Sequence, residues 1–100
     1  MQYNPYENIY DDSNYFRTMY PPEISDLYEL VRETCDKLEY ESSIMYYDHP
    51  DKNAIRLLAK ELCNSDKALT CDLSLVEVLL INEIFHRRIR HKLFTSFARL

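Results

Sequence analysis

Glu83-Ile-Phe-His86 places a carboxylate and an imidazole three residues apart. On a helix that spacing brings both groups to one face, and it supplies ligands in di-iron carboxylate bundles. One such unit is only part of a site. A metal centre would need a second copy of the chain and a further acid such as Glu39 or Glu77. The competing reading pairs Glu83 with Arg87 at i,i+4 and leaves His86 at the surface. Isolated motif matches arise often by chance, so no metal is expected, with Glu83 and His86 as the candidate ligands. Cys35, His49, Cys63 and Cys71 contain the donor types of a structural zinc. They lack the short paired spacing of such sites, and Cys35 and Cys63 fall where small apolar residues pack. No cysteine or serine has a local signature for nucleophilic catalysis. A catalytic residue, a cofactor and an enzymatic activity are therefore not expected.

The run His86-Arg-Arg-Ile-Arg-His-Lys92 is the feature most suggestive of a partner. Guanidinium groups recognise carboxylates and phosphates through paired hydrogen bonds. Three readings compete. The cations can neutralise the acidic first half of the chain from within and offset the helix dipole. Arg87, Arg88, Arg90 and Lys92 can instead face an acidic protein partner. Nucleic-acid binding is the third reading, disfavoured by the formal net charge of -5. The charge is unevenly spread: residues 1–50 hold 11 acids and 3 bases, whereas residues 51–100 hold 6 acids and 9 bases.

The elements that position these residues are constrained by composition. In 100 residues there is no glycine, which excludes phosphate-cradling glycine loops and disfavours tight β-hairpins. Length and composition fit one small domain. Three cysteines without a C-x-x-C pair, and an opening at Met1 without an apolar leader, predict a reducing, cytoplasmic setting. The apolar stretch Leu73 to Phe85 is interrupted by Ser74, Glu77, Asn82 and Glu83. It falls short of the roughly 20 residues that span a bilayer, so no membrane association is expected.

Residues 1–20 carry five of the nine tyrosines without a helical or strand period, and read as a mostly irregular Tyr-rich arm. Such rings are expected to dock on the domain that follows. Pro21-Pro22 suits a helix start, and Ile24, Leu27, Tyr28, Val31, Cys35, Leu38 and Met45 form one apolar stripe. A first helix is predicted over about 22–46. Asp48-His49-Pro50-Asp51 punctuates the chain before a second helix over about 51–64. Ser74-x-x-Glu77 has the form of a capping box for a third over about 73–97. Nine of the thirteen residues from Leu73 to Phe85 are apolar and cover most of the helix circumference, so this helix needs neighbours on several sides. The expectation is an all-α, antiparallel three-helix bundle over 21–100. Two helices cannot surround the third, so a homodimer with helix 3 in the interface is expected.

Arg17-Thr-Met-Tyr-Pro21, then Cys35-Asp-Lys-Leu-Glu-Tyr-Glu41 with Ser43, and Leu80-Ile-Asn-Glu-Ile-Phe-His-Arg-Arg88 with Arg90-His91 resemble a family of small proteins from anaerobic, spore-forming Firmicutes. The resemblance spans about residues 17–92. It implies a bacterial protein, expressed with sporulation, and brings no catalytic residue or cofactor with it. Residues and resemblance together point to a small non-catalytic protein-interaction or scaffold module. The alternatives are a metal-dependent enzyme built at a dimer interface and a nucleic-acid binder using the basic C-terminal helix.

Overall fold

In the computed structural model of the chain, residues 14–65 and 71–98 are described. Among them every regular element is helical: α1 (Pro22–Asp36), a 3-10 turn (Ile44–Tyr46), α2 (Lys52–Cys63) and α3 (Leu73–Ala98). Residues 14–17 form one further helical turn ahead of α1. No described helix is long and apolar enough to cross a membrane.

Each helix starts where the local chemistry can satisfy its free N–H groups. Pro22 opens α1 without wasting a donor, and the Pro21 carbonyl accepts from the N–H groups of Ile24 and Ser25 at 3.0 and 2.8 Å. Asp51 caps α2 by accepting from the Asn53 N–H at 3.2 Å. Asp72 caps α3, its Oδ1 accepting from the N–H groups of Ser74 and Leu75 at 3.1 and 3.3 Å. The expected Ser74/Glu77 box is thus replaced by an aspartate two residues earlier. Glu77 turns instead to Arg56 of α2, at 3.3 Å.

The expected first helix over 22–46 is corrected to one ending at Asp36. Beyond it, Leu38 N–H bonds to the Cys35 carbonyl at 3.0 Å and Tyr40 N–H to that of Leu38 at 2.8 Å, so the chain tightens and turns away. Ser43 holds the reversal. Its hydroxyl donates to the Leu38 carbonyl at 2.6 Å and accepts from the Met45 N–H at 3.2 Å, offering the backbone an alternative to helix. Met45 still reaches the core, fully buried, but from the 3-10 turn. Periodicity therefore identified a core residue correctly and its backbone wrongly.

The core is built from Leu27, Tyr28, Val31 and Cys35 of α1, Ala59 and Leu62 of α2, and Val76, Leu79, Leu80 and Ile84 of α3, closed by Met45. Both shorter helices pack chiefly on α3, which makes it the central element. Residues 14–20 dock on this body: the Tyr20 ring meets Tyr28 edge-on, with centroids 5.6 Å apart. The rest of the predicted arm, residues 1–13, lies outside the described residues.

Cys63, at the end of α2, and Cys71, just before α3, form a disulfide with Cα atoms 5.4 Å apart. Packing is the expectation for Cys63, and Cys71 is expected only as a zinc donor type; neither is available as a zinc ligand once bonded. Cys35 remains a free, buried thiol. A cross-link over this short loop restricts the unfolded chain by about 2 kcal/mol. Reduction, or a Cys63→Ser/Cys71→Ser variant, should lower the stability measured by urea unfolding by that amount. An unchanged unfolding midpoint would show that the bond does not form in solution.

Candidate functional site

The residues with chemical potential converge on one face of α3. Glu83 and Arg87, one helical turn apart, both point at α1, so the i,i+4 pair that spacing offered is made in the interior. Glu83 is 4% exposed and Arg87 is 7% exposed. The Arg87 Nε donates to Glu83 Oε1 at 2.8 Å, and its Nη1 lies 2.9 Å from Asp36 and 3.2 Å from Glu39. Its Nη2 reaches the Arg32 carbonyl at 3.4 Å. A buried guanidinium requires this many acceptors, since an unpaired charge in the interior is costly.

The second oxygen of Glu83 is equally occupied. The Tyr28 hydroxyl donates to Oε2 at 2.7 Å, and Arg17 approaches the same oxygen at 3.4 Å. Arg17 also sits over the Tyr28 ring, 5.7 Å from its centroid, a cation–π contact that adds to the pairing. Burial pushes the Glu83 carboxyl upward. The hydrogen bonds from Tyr28 and Arg87, with the charge of Arg17, overcome that and hold it below its ordinary value. Burial and then the bond to Glu83 raise Tyr28 well above the usual phenol range. Burial disfavours the Arg87 cation, but the bonds to Glu83 and Asp36 outweigh it and keep the group charged.

A second cluster ties the 3-10 turn to the same helix. Arg88 donates to the carbonyls of Met45 at 3.0 Å and Asp48 at 3.4 Å, and to that of Tyr47. Arg90 lies 3.5 Å from Glu39, and Glu39 also accepts from the Tyr46 hydroxyl. Burial, then the Glu39 bond, pushes Tyr46 up to about 12. The His91 ring stacks beside Tyr46 with centroids 4.7 Å apart. Arg87, Arg88, Arg90 and Lys92 therefore do not form one continuous solvent edge. Arg87 belongs to the interior and Arg88 to the connector, because the carboxylates and free carbonyls of residues 32–48 lie within their reach. Arg90 is half-exposed and Lys92 exposed.

The oxygens of Glu83 are fully engaged within the network. Glu83 already satisfies a phenol and two guanidinium groups, so it has little to offer a cation, and His86 points to the exposed side of the helix. Burial and the nearby Arg17 charge lower the His86 imidazole below its ordinary value. Among the described residues, no group of three or more His, Cys, Asp or Glu side chains is placed to share a metal ion. Burial pushes the Cys35 thiol up to about 12, far from the thiolate needed for nucleophilic work. Arg17 and Tyr28 were missed as members of this cluster. A signal existed, since Arg17 is the sole Lys or Arg before Arg32.

Opposite the network, α3 shows solvent a second character. Val78, Ile81 and Phe85, spaced as one helical stripe, are 52%, 49% and 58% exposed, with Asn82 and His86 exposed beside them. Arg17 brings the turn carrying Phe16 and Met19, both exposed, to the side of the same helix. No protein-family model, curated protein or solved structure matches the chain.

The Glu83 network makes stability depend on pH in a defined direction. A carboxyl with a lowered folded value contributes stability above its unfolded value and loses it as pH falls through the folded one. Glu83→Gln should cost about 3 kcal/mol at neutral pH and flatten the acid limb of a urea-midpoint profile. Adding Arg87→Met to that variant should cost less than it does alone. Additive losses would show that the two groups act separately.

Proposed function

We propose that this chain is a non-catalytic protein-interaction module that self-associates through the outer face of α3. The observation that carries this reading is the stripe Val78, Ile81 and Phe85, large apolar side chains left half-exposed on the central helix. Isolated exposed apolar residues are ordinary, whereas an aligned set on one helix marks a contact surface. A second copy suits the surface because the stripe can meet its own image across a two-fold axis. The charge pattern favours an antiparallel meeting. From His86 onward the chain has bases and no acids, and antiparallel helices keep the two basic ends apart.

The proposal includes an antiparallel arrangement of the three helices, supported by the order of contacts. Tyr28 meets Glu83 and Asp36 meets Arg87, so contacts advance together along α1 and α3. Arg56 meets Glu77 while Cys63 joins Cys71, so they run oppositely along α2 and α3. An acidic protein partner would be met by Arg90 and Lys92, with Arg87 and Arg88 engaged inside the fold. The bacterial, sporulation-linked setting rests on the residue resemblance alone. The Cys63–Cys71 bond weighs against the cytoplasmic location, because disulfides persist in oxidising compartments.

Ile81→Glu and Phe85→Glu place a charge on the stripe without touching the buried network. Sedimentation equilibrium should find the unmodified chain above its monomer mass of 12.1 kDa and show each variant dissociating at least tenfold more readily. Wild-type protein that remains monomeric, or variants that associate equally well, would overturn the α3 interface.

A further inference from the structure

Val76, Leu80, Glu83, Arg87 and Phe94 follow one another at helical spacing along the inward side of α3. The first four are buried, whereas Phe94 is 71% exposed, more than the other exposed large apolar residues of the described chain. The change has a plain geometric origin. Arg88, Arg90 and His91 make contacts with residues 39–48, and Phe94 lies one turn beyond them. An α-helix of 26 residues is roughly 39 Å long, while α1 has only 15 residues to cover it. Among the described residues the inward line of α3 thus runs past its last contacts with the connector, with the Phe94 ring beyond them. Arg90 and His91 stand one turn back on the same side.

Elsewhere on the molecule, α1 and α2 diverge around an open groove of about 490 Å³, in the range that takes a small ligand or a few side chains. Its apolar lining is Leu30 of α1, Leu38 of the turn that follows it, and Leu58 and Leu62 of α2. Its ionisable lining is Glu33, Lys37 and Glu61, two acids to one base. An apolar slot edged by Glu33 and Glu61 and an apolar ring on a helix end that carries Arg90 and Lys92 without an acid complement each other in polarity and charge.

We propose that the C-terminal end of α3 in one copy docks through Phe94 into the α1–α2 groove of a second copy. The contact is heterologous, since tip and groove are different surfaces, so every bound copy still offers one free tip and one free groove. Chains of copies grow from it, independently of the proposed pairing through Val78, Ile81 and Phe85. A domain with both contacts would assemble beyond a dimer.

The test separates the two contacts by working on the Ile81→Glu background, in which the stripe is blocked. Two further variants are compared there: Phe94→Ser, which removes the ring from the tip, and Glu33→Arg/Glu61→Arg, which reverses the groove's charge. All three substituted positions are exposed, and circular dichroism checks that the helices persist. Sedimentation velocity up to about 1 mM covers the weak end of specific association. The background protein should grow in average mass with concentration, and each further variant alone should remain at 12.1 kDa. Mixed in equal amounts, the two should form a pair of twice that mass and no larger species, because one supplies an intact groove and the other an intact tip. A background protein that stays monomeric, variants that still grow alone, or a mixture that stays monomeric overturns the tip-in-groove contact. Loss of growth on the background with wild-type dimerisation intact leaves the stripe interface standing.

Discussion

A guanidinium buried to 7% exposure in the middle of a small helical protein forces the structure around it. Arg87 cannot shed its proton at any accessible pH, so the chain must bring acceptors to it. It does so from three separate places: Glu83 on its own helix, Asp36 at the end of α1, and Glu39 in the connector. Those partners fix how α1 lies on α3 and where the connector turns. Tyr28 and Arg17 then complete Glu83, which draws the segment ahead of α1 onto the body. One buried charge thereby ties together α3, α1, the connector and the segment ahead of α1, beside the apolar core that α1 and α3 share.

The same arrangement divides α3 into faces with separate work. Its inward side holds the network and the core, and its outer side carries Val78, Ile81 and Phe85. A short domain has a limited core, and two shorter helices cannot cover a helix of 26 residues. The outer stripe and the overhanging Phe94 are two consequences of that shortage, one across the helix and one along it. Buried ion pairs of this kind add specificity of geometry more than net stability. Here Glu83 and Arg87 lie on the same inward side of α3 as Val76, Leu80 and Ile84, with Val78, Ile81 and Phe85 facing outward.

Much of the fold is legible from local chemistry. The starts of α1 and α2, the span of α3 and the apolar stripe of α1 through Cys35 follow from Pro22, Asp51 and helical spacing. These depend on neighbours within one or two turns, which is the range over which capping and amphipathicity act. The end of α1 is different. Leu38 and Met45 continue the helical stripe on paper, yet Ser43 and Arg88 bind the intervening backbone into a turn. Arg88 lies more than forty residues away, so no local pattern could announce it.

The sequence by itself determined that the chain is helical, that α3 is apolar on more sides than its neighbours can cover, and that its basic run follows an acidic first half. These are properties of residue type and spacing. Which cations turn inward was decided only by tertiary structure, because Arg87, Arg88, Arg90 and Lys92 are near-equivalent in sequence and differ in what stands opposite them. The Glu83–Arg87 pairing was visible as an i,i+4 spacing, but its burial against Tyr28, Arg17, Asp36 and Glu39 required α1 and the connector to be in place. The Cys63–Cys71 bond likewise depends on α2 and α3 meeting at that end. Long-range electrostatics and cross-links are settled by proximity in space, and spacing along the chain carries little of that information.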